Sequence, residues 1–208
     1  MNEQKMNEQE IGNPNTERTS SLVSGLFDVL EMFAWAMFVV LILFTFFFRI
    51  CYTDGASMEN TLHDRDLLLL YSLGYEPEQG DIVVFQLTEH TGAETLVKRI
   101  IATGGQELVI DFKKCEIYVD GVLYDDPHAT LKDRITDRDL GFYTLTADHH
   151  YDKTTQTLTA TVPKGHVFVM GDNRNNSKDS RMSEIGFVDE RCILGKAVYR
   201  LKPFTKFD

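Results

Sequence analysis

Seventeen consecutive uncharged residues, Met32 through Phe48, limit what this chain can fold into and divide it into three unlike parts. With the turn before it, the run makes a helix of roughly 20 residues or more, the length that crosses a bilayer core of about 30 Å. A helix packed into a water-soluble core keeps a polar stripe, and this run has none. Ser24 is placed to cap the helix, and Asp28 and Glu31 suit its positive end. The run is too long for the apolar part of a cleaved signal peptide. The segment ahead of it is not basic, and Phe46-Phe47-Phe48-Arg49 offers no small-residue cleavage site. Residues 25–50 therefore read as a retained transmembrane anchor. Lys5 and Arg18 before it and Arg49 after it leave the orientation undecided. Residues 1–24, polar and rich in Asn, Glu, Gln and Ser, read as a disordered tail.

Residues 51–208 are enough for one domain with its own core. They carry 18 Lys and Arg against 26 Asp and Glu, most of the chain's net charge of −11. An acidic domain without a basic stripe argues against nucleic acid as a partner. Cys51, Cys115 and Cys192 are too few and too scattered for a disulfide framework or a metal knuckle. A Cys115–Cys192 bridge and two free thiols both stay open.

Beyond Tyr52 the periodicity is that of strands. Short apolar runs at 66–71, 81–85, 96–101 and 107–111 are separated by Gly, Pro and charged residues. Glu116–Tyr124 reads as a hairpin whose Asp120-Gly121 pair suits a type I′ turn. Stretches 154–162, 166–170 and 193–201 read as further strands. No segment after the anchor has a helical period, so the expected class is mainly β: one N-terminal transmembrane helix, then an antiparallel β-sheet domain. Residues 125–153 are polar and aperiodic, and read as an inserted loop or small subdomain. His149-His150 within them lacks a Cys or carboxylate at ligand spacing, so a solvated loop outweighs a metal site. No metal and no cofactor are expected.

A serine hydroxyl becomes a nucleophile only when a neighbour takes its proton. Ser57, in Asp54-Gly55-Ala56-Ser57-Met58-Glu59-Asn60-Thr61-Leu62, is the candidate. His63 is close in sequence, but no acid motif completes a triad with it. Lys98 is the better base. Strand alternation puts it on a face with Leu96 and Ile100, where desolvation disfavours the ammonium and leaves a neutral amine. Arg99 then faces the other way and keeps its charge. The plain alternative is an edge lysine reaching for water. A third element is Gly171–Arg181, too rich in donors and acceptors for a simple turn. There Asp172 and Asp179 are expected to pair with Arg174 and Arg181, and Ser177 to hold the lysine's amine. Arg174 rules out a calcium loop, since it stands where a ligand is needed.

In this order the pieces resemble the bacterial type I signal peptidases, membrane-anchored Ser–Lys peptidases of family S26. The likeness rests on Ser57-Met58 followed by Thr61-Leu62, then Gly80-Asp81-Ile82-Val83-Val84-Phe85. Lys98-Arg99 with Gly104-Gly105 comes next, and Gly171-Asp172-Asn173-Arg174 with Ser177, Asp179, Ser180 and Arg181 closes the series. It covers the anchor and nearly all of the domain outside 111–165, where the family varies. The resemblance implies that Ser57 attacks the scissile carbonyl while Lys98 serves as general base and then as proton donor. It implies that Ser177 orients the lysine and that Asp179 and Arg181 hold the loop in shape. The backbone N–H of Ser57 would be one oxyanion donor.

Two positions depart from the family pattern. Asn60 stands where proline is frequent, and Gly55 where some members have a serine that supplies a second oxyanion donor. That second donor must then be backbone or water. An extended substrate is expected to add as a strand, before Ser57 or beside Leu96-Val97. Leu62, Leu96 and Val97 would wall pockets for small side chains in an Ala-x-Ala-like pattern. The implied partners are exported preproteins, the lipid bilayer and the secretion translocon. The implied place is the cytoplasmic membrane, with the catalytic domain on its extracytoplasmic face and an apolar surface near the site resting on the bilayer. Two other readings compete. A Ser–Lys self-cleaving repressor shares the dyad but is soluble, which the anchor disfavours. A tethered β-domain that binds exported peptides without cutting them would have little use for Ser57, Lys98 and Ser177 together.

Overall fold

A computed structural model describes residues 14–89, 92–125, 127, 129, 149–182 and 184–207. Residues 1–13 of the expected tail and most of the 125–153 insertion lie outside the described residues. The chain divides after Thr45 into two units.

The first is the helix α1, which runs from Pro14 to Phe47. Proline suits a first helical position because its missing N–H has no partner there in any case. Residues Pro14–Ser24, read from sequence as disordered tail, are therefore helical, and Ser24 lies inside the helix and not at its start. The reason is cooperative: once the apolar segment is helical, each residue added outward costs little. At about 1.5 Å per residue the 34 residues span about 51 Å. Gly25–Ile42 is long and apolar enough to cross a membrane, and none of it is buried in the protein. Phe27 and Trp35 expose 65% and 60% of their surface, an apolar area suited to lipid and not to water. Thr45 Oγ1 donates to the Leu41 carbonyl at 2.7 Å, so the helix itself satisfies that hydroxyl.

The second unit is antiparallel β. Its strands are β1 (Phe48–Tyr52), β2 (Leu67–Tyr71), β3 (Ile82–Glu89), β4 (Gly92–Thr103) and β5 (Glu107–Asp111). They continue with β6 (Glu116–Val119), β7 (Val122–Leu123), β8 (His149–Asp152) and β9 (Thr157–Thr161). The last are β10 (His166–Met170), β11 (Val188–Asp189), β12 (Ile193–Lys202) and β13 (Phe204–Lys206). The larger sheet runs β1-β2-β12-β3-β4-β10-β11, with β13 on β12, and the smaller runs β7-β6-β5-β9-β8. Among the described residues the only helical element after α1 is the short 3₁₀ helix Glu190–Cys192.

The strand expectations hold with a few corrections. Phe48–Ile50, assigned to the anchor, begin β1, where Phe48 pairs with Tyr71 and Tyr52 with Leu67. An unbroken aromatic run hides this boundary, because hydropathy alone does not separate lipid-facing helix from sheet. His149–Asp152, assigned to the polar insertion, form β8 against β9, a pairing made by backbone hydrogen bonds and not by apolar alternation. The short strands β11 and β13 have no sequence signal of their own. The hairpin turn is as expected, with positive φ at both Asp120 (51°) and Gly121 (78°).

Two packing layers position the site. Met58 and Leu62 descend into a cluster with Leu68, Leu70, Ile82 and Val84. Ile101, Phe168 and Met170 meet Leu108, Ile110 and Leu158 of the small sheet. The small sheet is an excursion between β4 and β10, whose ends pair at Thr103 and Val167. It therefore begins at β5, slightly before the 111–165 stretch in which variation was expected.

Candidate active site

Ser57 sits in the connection from β1 to β2. Thr53 and Asp66 close its base, with Thr53 N–H donating to the Asp66 carbonyl at 3.0 Å. Leu62 N–H donates to the Met58 carbonyl at 2.8 Å, a single helical turn that aims both apolar side chains inward. These two buried plugs, one on each side of the turn, fix the height of Ser57 over the sheet. Gly55 has φ of +87°, and its N–H donates to Asp64 Oδ1 at 3.0 Å. A side chain at 55 would find space but would be held in a strained backbone. The Gly55 N–H, a backbone group in the oxyanion region expected around Gly55 and Ser57, is thus already engaged. Asn60 has φ of +83°. Proline is locked near −65°, so this turn is of a different kind from one built on proline, and asparagine is among the residues that tolerate it.

Lys98 lies in β4 opposite Val83 and is 2% exposed. Its Nζ is hydrogen-bonded to Ser57 Oγ at 2.8 Å and donates to the Val97 carbonyl at 2.8 Å. Burial lowers the Lys98 pKa and is the dominant influence; Asp179, Glu94 and Asp172 pull it back only in part. Among the described residues no carboxylate reaches ion-pair distance of Nζ. The expectation from strand alternation is met: a desolvated lysine on the face of Leu96 and Ile100, and its neighbour Arg99 turned away.

Arg99 finds its partner across the chain. Its Nε and Nη2 donate to Asp172 Oδ1 and Oδ2 at 2.9 and 2.7 Å, and Nη1 to the Gly80 carbonyl at 2.7 Å. Asp172 also accepts from Thr61 Oγ1 at 2.5 Å. The expected Asp172–Arg174 pair is therefore replaced by Asp172–Arg99; Arg174 instead donates through Nε to the Gly171 carbonyl at 3.0 Å. The Asp179–Arg181 pair forms as expected, with Nε at 2.7 Å and Nη2 at 2.8 Å from the carboxylate. Burial pushes the Asp179 carboxyl up, but the Arg181 charge and hydrogen bonds and the Gly171 N–H outweigh it and hold the group below the usual carboxylate range.

Ser177 departs from its expected role. Its buried Oγ does not reach Lys98 and stands instead on the side of Asp179, whose carboxyl it helps to hold down, while Lys98 Nζ is satisfied by Ser57 and Val97. The hydroxyl does stand at the site: a methyl group on Gly171 would collide with both Ser177 Oγ and the Ser57 carbonyl. Gly171 is glycine because nothing larger fits between them. His63 lies on the surface, its side chain 67% exposed and 4.0 Å from Asp66.

A cavity of about 260 Å³ opens beside Ser57 and Lys98. Leu62, Leu96 and Val97, the three expected wall residues, all line it, together with Met58, Val84 and Tyr52. Sequence reasoning placed Thr61 and Asn173 in their motifs but gave no role to either side chain, and none to Asp64. Their partners depend on a turn conformation or on contacts more than a hundred residues apart, and neither leaves a local pattern.

A serine hydroxyl against a buried amine, beside a small apolar cavity on an antiparallel scaffold, is the equipment of a serine hydrolase. The family model described as signal peptidase, peptidase S26, matches residues 26–202. Signal peptidase IB of Staphylococcus aureus (strain N315) is 31% identical over 85% of this chain and 93% of its own. Signal peptidase I of Bacillus caldolyticus is 34% identical over 83% of this chain and 89% of its own. A solved signal peptidase I from Enterococcus faecalis V583 aligns with 59% of this chain and 97% of its own at 25% identity, with a TM-score of 0.38. The chain belongs to the signal peptidase family, peptidase S26.

Proposed function

We propose that Ser57 and Lys98 are the catalytic pair with which this signal peptidase cuts exported preproteins after small residues. The observation that carries the reading is the 2.8 Å contact between Lys98 Nζ and Ser57 Oγ, made by an amine whose pKa burial lowers. The neutral amine accepts the Ser57 proton as Oγ attacks the scissile carbonyl. The Ser57 N–H faces the oxygen that becomes negative. The resulting ammonium then protonates the leaving amine, and Lys98, neutral again, activates the water that hydrolyses the acyl-enzyme. The Val97 carbonyl holds Nζ in line throughout.

Substrate is held as an added strand beside Leu96-Val97, with short side chains in the cavity walled by Leu62, Leu96 and Val97. The apolar part of α1 holds the enzyme in the bilayer, and the domain works on the extracytoplasmic face, where signal peptides emerge from the secretion translocon. Incubating the detergent-solubilised protein with a preprotein bearing an Ala-x-Ala site tests this, with Ser57→Ala as control. A single cut after the second alanine by the wild type alone is expected. An uncut preprotein, or equal cutting by Ser57→Ala, sinks the proposal.

A further inference from the structure

We infer that Asn173 is a positioning residue that aims the oxyanion-binding N–H of Ser57, an inference that rests on the Ser57–Lys98 reading above. A peptide unit is planar and trans, so its C=O and N–H point in opposite directions. Fixing the carbonyl of residue 56 therefore fixes the direction of the N–H of residue 57. Asn173 Nδ2 donates to the Ala56 carbonyl at 3.0 Å, across 117 residues of sequence. The same nitrogen lies 3.4 Å from Glu59 Oε2. Both neighbours are acceptors, so the amide must present its NH₂ on this side and its orientation is determined. Asn173 N–H in turn donates to the Ser57 carbonyl at 3.1 Å. One residue thus grips the peptide units on both sides of the nucleophile, the first by side chain and the second by backbone.

The Ser57 N–H itself makes no hydrogen bond among the described residues. Half-buried N–H groups are usually paired, so one left open beside a nucleophile is reserved for a ligand oxygen. The Gly55 N–H is not a substitute, since Asp64 occupies it. With one backbone donor to rely on, its aim matters more than in a site with two.

The test uses the full chain in detergent with Asn173→Ala and Asn173→Asp. The backbone grip on the Ser57 carbonyl survives either change, so only the 56–57 peptide is released. Loss of a preorganised oxyanion donor costs about 10²- to 10³-fold in kcat. A fall of that size is expected in Asn173→Ala, with KM little changed and the acid limb of the pH–rate profile unmoved, because Lys98 is untouched. A peptide boronic acid, which forms a tetrahedral adduct on serine, should lose affinity by the same factor. An uncleaved peptide bound to a Ser57→Ala background should bind equally well with or without Asn173. Asn173→Asp keeps the volume but sets an acceptor against the Ala56 carbonyl, and should be at least as impaired while melting as a folded protein. Unchanged kcat in either variant, or equal losses for boronic acid and peptide, overturns the inference. Failure of the underlying dyad looks different: Ser57→Ala would still cleave, and the boronic acid would bind without Ser57.

Discussion

Arg99 grips Asp172 through two parallel contacts, Nε to Oδ1 at 2.9 Å and Nη2 to Oδ2 at 2.7 Å, with both side chains almost wholly buried. Removing one partner strands the other charge in a dry site, at a cost of about 3–5 kcal/mol. Arg99→Met or Asp172→Leu alone should therefore lower the melting temperature sharply. The double variant should recover part of the loss, because neither charge is then left buried alone. Because Asp172 also holds Thr61, four residues past the nucleophile, both single variants should lose activity too. Thermal melts read beside cleavage rates check this; a double variant no more stable than the singles would refute it.

The Lys98 amine sets both the pH profile and a stability cost. Its pKa in the fold is lowered below 10.5, so the unfolded chain binds a proton there that the folded chain lacks. Stability contributed by this group therefore rises with pH from the depressed folded value up to the unfolded one. Lys98→Met should be inactive, should flatten that slope and should be more stable than wild type at neutral pH. Glu94 favours the ammonium, so Glu94→Gln should move the acid limb of cleavage to lower pH, by less at high salt since Glu94 is half-exposed. Denaturant titrations across pH and a pH–rate series give both readouts, and a limb that moves upward contradicts the assignment.

Gly171→Ala adds one methyl group between Ser177 Oγ and the Ser57 carbonyl, both closer than any carbon normally approaches. One of them has to move, and the carbonyl belongs to the nucleophile. The expected result is a loss of kcat of about 10²-fold, in line with small misplacements of reacting groups, with a folded protein by circular dichroism. Wild-type kcat would show that the loop gives way without disturbing Ser57.

Gly55→Ser introduces a hydroxyl where the family resemblance led us to look for a second oxyanion donor. Here the backbone at 55 is left-handed and its N–H is tied to Asp64, so the new side chain is strained and not aimed by the turn. We expect kcat to stay level or fall, with a stability loss of about 1 kcal/mol or more. A gain in kcat would mean that the turn relaxes to the other conformation.

Much of this was legible in one dimension, for a physical reason in each case. Lys98 stood out because strand alternation puts it on a face with Leu96 and Ile100, but an edge lysine reaching for water fits the same pattern, and the burial that decides between them comes from the fold. The Asp179–Arg181 pair is local, two residues apart, and could be read from the loop. Asp172 could not, because its partner Arg99 is chosen by the packing of β4 against β10 and not by proximity along the chain. The same limit hid the hold of Asn173 on Ala56. Ser177 was placed at the site by its motif, but whether its hydroxyl reaches the amine depends on ångströms that no motif encodes. At the membrane boundary the error was of another sort: the aromatic run Phe46–Phe48 crosses from helix into strand without a break in hydropathy, and only pairing with β2 makes Phe48–Ile50 a strand.

The meeting of Thr103 with Val167 has a consequence for how such a molecule can change over time. Among the described residues, the chain between them leaves the large sheet and comes back at one paired point. Insertions or deletions far out along that excursion alter the loop without shifting the register of β3, β4 and β10. Its inner strand is not so free, since Leu108 and Ile110 shield Ile101 and Phe168. The chain thus has a region in which length can drift, attached through a base that cannot, while the geometry around Ser57 is inherited intact.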